Sequence, residues 1–172
     1  GFINTLGPLL CPFQVSGQIC GVRQPGLIDT FASAFASLGM NNSIIASAEI
    51  GLDEFSAIGK NYSARIQDGI ISRAEFDPAI YGFRYTDINQ LNGGTPETNV
   101  SIMESLLKST QPSAARDTVI LNAAYLLVVA QKYTTPAEAI FAATAAIESG
   151  NAFRLLHKAR EFSHDHASKE IA

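Results

Sequence analysis

Apolar positions recur along this chain at two periods, one suited to strands and one to helices. Between Gln14 and Val22 the apolar residues Val15, Ile19 and Cys20 form a short run bounded by proline and glycine, which predicts a mostly buried strand. Pro25-Gly26 then opens a helical pattern. Leu27, Ile28, Phe31, Phe35 and Leu38 fall at helical spacing, and Gly39 stops it. Ser43-Ile-Ile-Ala-Ser47 predicts a second buried strand. Strand, helix, strand with short connections is the pattern of a parallel sheet covered by helices.

The second half of the pattern turns from strands to helices. Tyr62–Gln67 and Ile70–Phe76 are strand-like and flank Asp68-Gly69, a pair that favours a two-residue hairpin turn with positive φ. Residues 77–83 read as irregular. Thr95-Pro96 supplies an N-cap and a first-turn proline for a helix ending near Lys108. The run from Val119 to Ala130 is apolar except for Asn122. A bilayer crossing needs about 20 residues, so a helix buried on most sides is expected instead. Thr135-Pro-Ala-Glu138 has capping-box spacing, and the helix after it runs to Ser149-Gly150, with Asn151 starting the last one. The expected class is α/β, a twisted and mainly parallel sheet flanked by helices.

A length of 172 residues suits one domain with a sizeable core. With 47% hydrophobic and only 16% charged residues, much of the chain must be buried. A net charge of −4 argues against nucleic acid as the main partner, because a duplex binder needs a concentrated basic face. Cys11 and Cys20 match no zinc spacing, and a single pair is thin for a disulfide scaffold, so reduced thiols and a cytoplasmic location are expected. The apolar start lacks the flank and core of a signal peptide and does not open on methionine. The chain therefore reads as beginning within a longer protein, with no membrane segment.

Candidate chemistry narrows to two adjacent carboxylates, Asp53 and Glu54. Taken alone they suit the first turn of a helix, where exposed N–H groups favour negative charge. They also lie just past the second predicted strand, and ligands of parallel sheets collect at strand carboxyl ends. That position makes them candidates for seating a divalent cation. Other features read as structural. Asn122 and Asn99 are expected to tie helices to loops, Arg116-Asp117 to form a helix-start charge pair, and Gly93-Gly94 to make a turn. His157, His164 and His166 are expected on a solvated tail. Nothing in the order of Ser, His, Asp or Cys suggests covalent catalysis.

Several phrases occur together in order: Leu6-Gly-Pro-Leu-Leu-Cys-Pro12, Gly51-Leu-Asp-Glu54, Phe76-Asp-Pro78 with Tyr81-Gly-Phe83, Gly93-Gly94 with Asn99, and Arg116-Asp117 with Leu121-Asn-Ala-Ala124. Together they resemble the C-terminal half of the anthranilate phosphoribosyltransferase family, over Asn4 to about Phe162. The resemblance implies magnesium-dependent transfer of phosphoribose from phosphoribosyl pyrophosphate to anthranilate, a step of tryptophan biosynthesis. It implies that Asp53 and Glu54 help hold Mg2+ at the pyrophosphate. It implies also that Gly7-Pro8 lies on the anthranilate side, beside the plainer reading of a helix-ending kink. The family's phosphoribosyl-pyrophosphate loop and N-terminal helical domain would precede Gly1, so this chain alone is expected to be incomplete and inactive. Homodimers of the family are expected to pair largely through that helical domain. Cys11, Phe13, Ser47 and Ala48 depart from the family pattern, which reads His-Gly where Ser47-Ala48 stand. These departures leave two alternatives open: a nucleoside phosphorylase of the same fold, or a non-catalytic ligand-binding relative.

Overall fold

Residues 7–9 and 15–167 are described by the computed structural model. Strand β2 (Ser43–Ala48) is the middle of the fold, and all six of its residues are buried. Its period of two sends alternate side chains to opposite faces, and both faces are covered, hence the unbroken run of apolar and small residues. Ile45 joins Cys20, Phe31, Phe35, Ala64 and Ile66 on one face. Ile44 and Ala46 join Phe55, Leu121, Tyr125 and Val129 on the other.

Strand β1 (Gln18–Gly21) lies parallel to β2, with Gln18 opposite Ser43 and Gly21 opposite Ala46. The connection is a 3-10 turn at Pro25–Leu27 followed by helix α1 (Ile28–Ser37). Gly39, at φ 70°, ends that helix: Met40 N–H donates to Phe35 O at 2.9 Å and Gly39 N–H to Ala36 O at 3.1 Å. The predicted first strand is shorter than expected; it begins at Gln18, and Gln14 lies outside the described residues.

Strands β3 (Asn61–Gln67) and β4 (Ile70–Phe76) form the predicted hairpin. Asp68 and Gly69 both have positive φ, 51° and 78°, the backbone that matches the twist of paired strands. The sheet order is β1-β2-β3-β4, and β2 pairs with β3 antiparallel. The α/β class and flanking helices stand as expected, but of the three strand pairs in the sheet only β1–β2 is parallel; Ile58 and Tyr85 add an isolated parallel bridge outside it. No helix intervenes between β2 and β3, and without a crossover helix successive paired strands return antiparallel.

The remaining helices are α2 (Pro96–Lys108), α3 (Ala114–Val129), α4 (Pro136–Glu148) and α5 (Asn151–Ala167). Their starts follow the capping chemistry. Thr95 Oγ1 accepts from Thr98 N–H at 3.3 Å, Ser113 Oγ from Arg116 N–H at 3.2 Å, and Thr135 with Glu138 closes a full capping box. No described helix is long and apolar enough to cross a membrane.

Helix α3 covers the β2 face opposite α1 and packs on its other side against α4. It departs from the expectation of burial on most sides in one stripe, where Val119 (41% exposed) and Leu126 (53% exposed) stand open two turns apart. They border an apolar cleft of about 670 Å3, which Leu107, Ala123, Ala143 and Ile147 also line. Arg116-Asp117 does form a charge pair at the start of α3, and the pair belongs to a wider buried network. Both residues are buried; Arg116 reaches Asp117 Oδ1 at 3.2 Å and Glu148 Oε1 at 3.0 Å, and Tyr85 OH donates to Asp117 Oδ2 at 2.6 Å. Charges this far from water persist only when paired in this way.

Candidate functional site

Beyond Ala48 the chain must reverse and cross the end of the parallel pair, and the turn is closed by its own backbone. Gly51 N–H donates to Ala48 O at 2.9 Å, and Ala48 N–H to Leu52 O at 3.0 Å. Gly51 has φ 86°, a conformation that glycine supplies without strain. Arg23 Nε, from just past β1, donates to Gly51 O at 3.3 Å. Asp53 follows directly and rests on the end of β1. A Cβ added to Gly21 would stand 1.5 Å from Asp53 O and 2.4 Å from its carbonyl carbon, so the two backbones touch here only because residue 21 has no side chain.

Both sequence-predicted metal residues, Asp53 and Glu54, are thus at the carboxyl end of the parallel strands, and both are exposed. Neither enters a salt bridge or a side-chain hydrogen bond among the described residues. Partial desolvation, then the neighbouring Asp53 charge, raises the Glu54 carboxyl above its ordinary value. Cys20, buried at the end of β1, has its thiol pushed up to about 11, first by burial and then by the Asp53 charge. Two neighbouring negative groups with no ion-pair partner among the described residues offer hard oxygen donors to a cation.

The segment after the pair turns inward. Phe55, Ser56, Ala57 and Ile58 are all buried. Phe55 stacks on Tyr125 of α3 with ring centroids 4.0 Å apart and lies 5.7 Å from Phe76, anchoring the chain one residue beyond Glu54. A buried, irregular backbone must find partners outside helix or sheet ladders. Here four successive N–H groups donate to side-chain oxygens: Phe55 to Asn122 Oδ1 at 3.0 Å, Ser56 to Asn61 Oδ1 at 2.8 Å, Ala57 to Thr118 Oγ1 at 3.0 Å, and Ile58 to Ser56 Oγ at 2.9 Å. Asn122 Nδ2 also donates to Phe55 O at 2.7 Å and to Thr118 O at 2.9 Å. A buried donor left without its acceptor costs on the order of 1–3 kcal/mol, so these side chains hold the segment firmly.

Asn122 therefore ties helix to loop, as its lone amide in an apolar run implied. Asn99 does the same on α2, where its Oδ1 accepts from Gly94 N–H at 2.8 Å and its Nδ2 donates to Gly94 O at 3.3 Å. Sequence reasoning missed Gly21, Thr118 and Asn61. A lone glycine inside a strand signals close backbone approach, and Thr118 stands one helical turn before Asn122 on the same face; those signals were legible. Asn61, at the first position of β3, carried none.

The other predicted residues fall elsewhere. Gly7 and Pro8 belong to a 3-10 turn at Gly7–Leu9, where Gly7 is exposed with open space around it. Leu9 packs against the cluster under α1. Cys11 and Phe13 lie outside the described residues. Ser47 and Ala48 are fully buried, and Ser47 Oγ has no hydrogen-bond partner, so this departure alters packing behind the turn and not its exposed face. His157 is exposed, its ring 4.5 Å from that of Phe153, and α5 continues through His164 and His166.

No group of three or more His, Cys, Asp or Glu converges among the described residues. The donor set at Asp53 and Glu54 nevertheless fits magnesium, which is commonly held by one or two carboxylates while substrate phosphates and water complete its octahedron. It fits zinc poorly, since thiolate and imidazole ligands are missing from the exposed turn.

Residues 2–153 match the model of the glycosyl transferase family, a/b domain. The chain is 36% identical over 169 residues to the anthranilate phosphoribosyltransferase of Pelotomaculum thermopropionicum, covering 98% of this chain and 49% of that protein. It is 33% identical to that of Staphylococcus aureus, covering 92% of this chain and 48% of the relative. The chain thus spans about half the length of the curated relatives it matches. Among solved structures it is similar to Saccharomyces cerevisiae anthranilate phosphoribosyltransferase in complex with PRPP and Mg, at TM-score 0.75 and 29% identity. That match covers 88% of this chain and 44% of the yeast chain. The Thermus thermophilus enzyme aligns at TM-score 0.71 and 27% identity, over 80% of this chain and 40% of its own.

Proposed function

We infer the activity from membership: this chain belongs to the glycosyl transferase family, a/b domain. The reading is phosphoribosyl transfer from phosphoribosyl pyrophosphate to anthranilate, with release of pyrophosphate. The observation that supports it is the carboxylate pair at the carboxyl end of β1 and β2, in no ion pair among the described residues and backed by residues 55–58, whose four backbone N–H groups are engaged. Similarity to a yeast enzyme solved with PRPP and Mg adds to it.

In this reading Asp53 and Glu54 hold Mg2+, which when bound offsets the negative charge of the departing pyrophosphate. The rigid segment from Phe55 to Ile58 keeps the two carboxylates in one place while substrate binds. The displacement occurs at the anomeric carbon of the ribose, with oxocarbenium character as the leaving group departs. Positioning and electrostatic stabilisation carry the rate, which fits a site without a dedicated general base. The turn at Gly7–Leu9 would border the anthranilate side through Gly7 and Pro8. The chain acts together with a further segment equivalent to the other half of its relatives, which supplies the remaining phosphate contacts.

The test is an assay of the chain mixed with the N-terminal half of the Pelotomaculum thermopropionicum relative. Anthranilate should disappear only with phosphoribosyl pyrophosphate and magnesium present. Asp53→Ala should lower the rate at least about a hundredfold, as expected for removing an electrostatic contact to the leaving group. Phosphorolysis of a nucleoside in place of anthranilate consumption would show a phosphorylase. Ligand binding without turnover would show a non-catalytic relative.

A further inference from the structure

We propose that Thr118 and Asn122 of α3 are positioning residues for the Asp53-Glu54 pair. They would set the spacing of the two carboxylates by holding the backbone immediately beyond them. The inference rests on the proposed metal-binding role of that pair and adds to it the element that fixes its geometry. Thr118 and Asn122 are one turn apart on α3, and both direct oxygen at the loop: Thr118 Oγ1 to Ala57 N–H at 3.0 Å, Asn122 Oδ1 to Phe55 N–H at 3.0 Å. Asn122 Nδ2 grips the same residue's carbonyl at 2.7 Å, so Phe55 is held at both its polar atoms by one amide.

Within the pair itself the backbone of Asp53 rests on Gly21, where a methyl group would overlap it. The pair is therefore fixed at two places along the backbone, by β1 at Asp53 and by α3 from Phe55 onward. Magnesium demands near-ideal geometry, and side chains that orient metal ligands typically contribute about 10–100-fold in metal affinity. A helix whose apolar stripe packs on the sheet and whose Thr118 and Asn122 engage the loop transmits the rigidity of the core to an exposed turn.

The experiment uses the whole 172-residue chain with Mn2+ alone as the probe, read by water-proton relaxation, together with amide hydrogen exchange. Thr118→Val keeps the branched shape and removes the acceptor; Thr118→Ser restores it. Asn122→Ala is a second variant, used where circular dichroism shows it folded. Thr118→Val should speed exchange at the amides of residues 55–58, all four of them hydrogen-bonded, while leaving the rest of α3 protected. It should weaken Mn2+ binding by roughly tenfold, with Thr118→Ser close to the unsubstituted chain. In Thr118→Val, unchanged exchange at the Phe55 amide, the hydrogen-bonded N–H next to Glu54, overturns the proposal, whatever the metal does. Faster exchange with unchanged Mn2+ affinity also overturns it, leaving Thr118 a structural tie only. Should Asp53→Asn bind Mn2+ as the unsubstituted chain does, the metal-binding reading falls separately.

Discussion

At the scale of single residues, the position of Asp53 depends on an atom that is missing. Gly21 lets the carboxylate turn rest on the end of β1, and alanine there would collide with the Asp53 carbonyl group, which is backbone and cannot rotate away. Gly21→Ala should therefore destabilise the chain by about 3 kcal/mol, the upper range for overpacking a tight contact. Urea unfolding followed by circular dichroism checks this: the midpoint should fall with the slope unchanged, and a shift below about 0.5 kcal/mol would show the turn free to move. The carboxylates themselves were legible because they followed a strand in a recognisable grammar. At Gly21 the sequence signals that some backbone comes close, but not which one, so the tie to Asp53 stays hidden until the chain is folded. Asn61 was hidden for a related reason: its partner, Ser56, is set by a loop path that no periodicity encodes.

At the scale of elements, local chemistry was readable wherever it stayed local. Asp68-Gly69 specified the hairpin, Thr135 and Glu138 the start of α4, and Gly39 the end of α1, all through contacts a few residues long. Arg116-Asp117 shows the limit. As a local pair it read as a helix-start decoration, yet both residues are 4% exposed and the network runs on to Tyr85 and Glu148. Burial and then the hydrogen bond to Asp117 push the Tyr85 phenol up to about 12, so it stays a donor across the neutral range. Asp117→Ala would leave the buried Arg116 guanidinium with half its counter-charge and Tyr85 without its acceptor. A loss of about 3 kcal/mol is expected, the low end for breaking a buried pair. Thermal unfolding would measure it, and a change under 1 kcal/mol would mean that Glu148 alone suffices for Arg116.

At the scale of the whole molecule, the α/β class followed from the order of elements, while the mixed strand directions did not. The strand pattern of β3 is the same for either direction of pairing, and only the absence of a crossover helix between β2 and β3 decides it. The open stripe at Val119 and Leu126 was illegible for a complementary reason: an apolar position predicts burial without naming what covers it. The carboxylate pair, the close contact at Gly21 and the side-chain grip from α3 underlie the proposal that the exposed turn presents two carboxylates to a cation carrying a diphosphate. The most direct measurement is calorimetric titration of magnesium pyrophosphate into this chain and into Asp53→Asn/Glu54→Gln. A binding heat that requires magnesium and vanishes in the double variant is expected. Equal binding by both proteins, or none by the unsubstituted chain, would contradict the proposal.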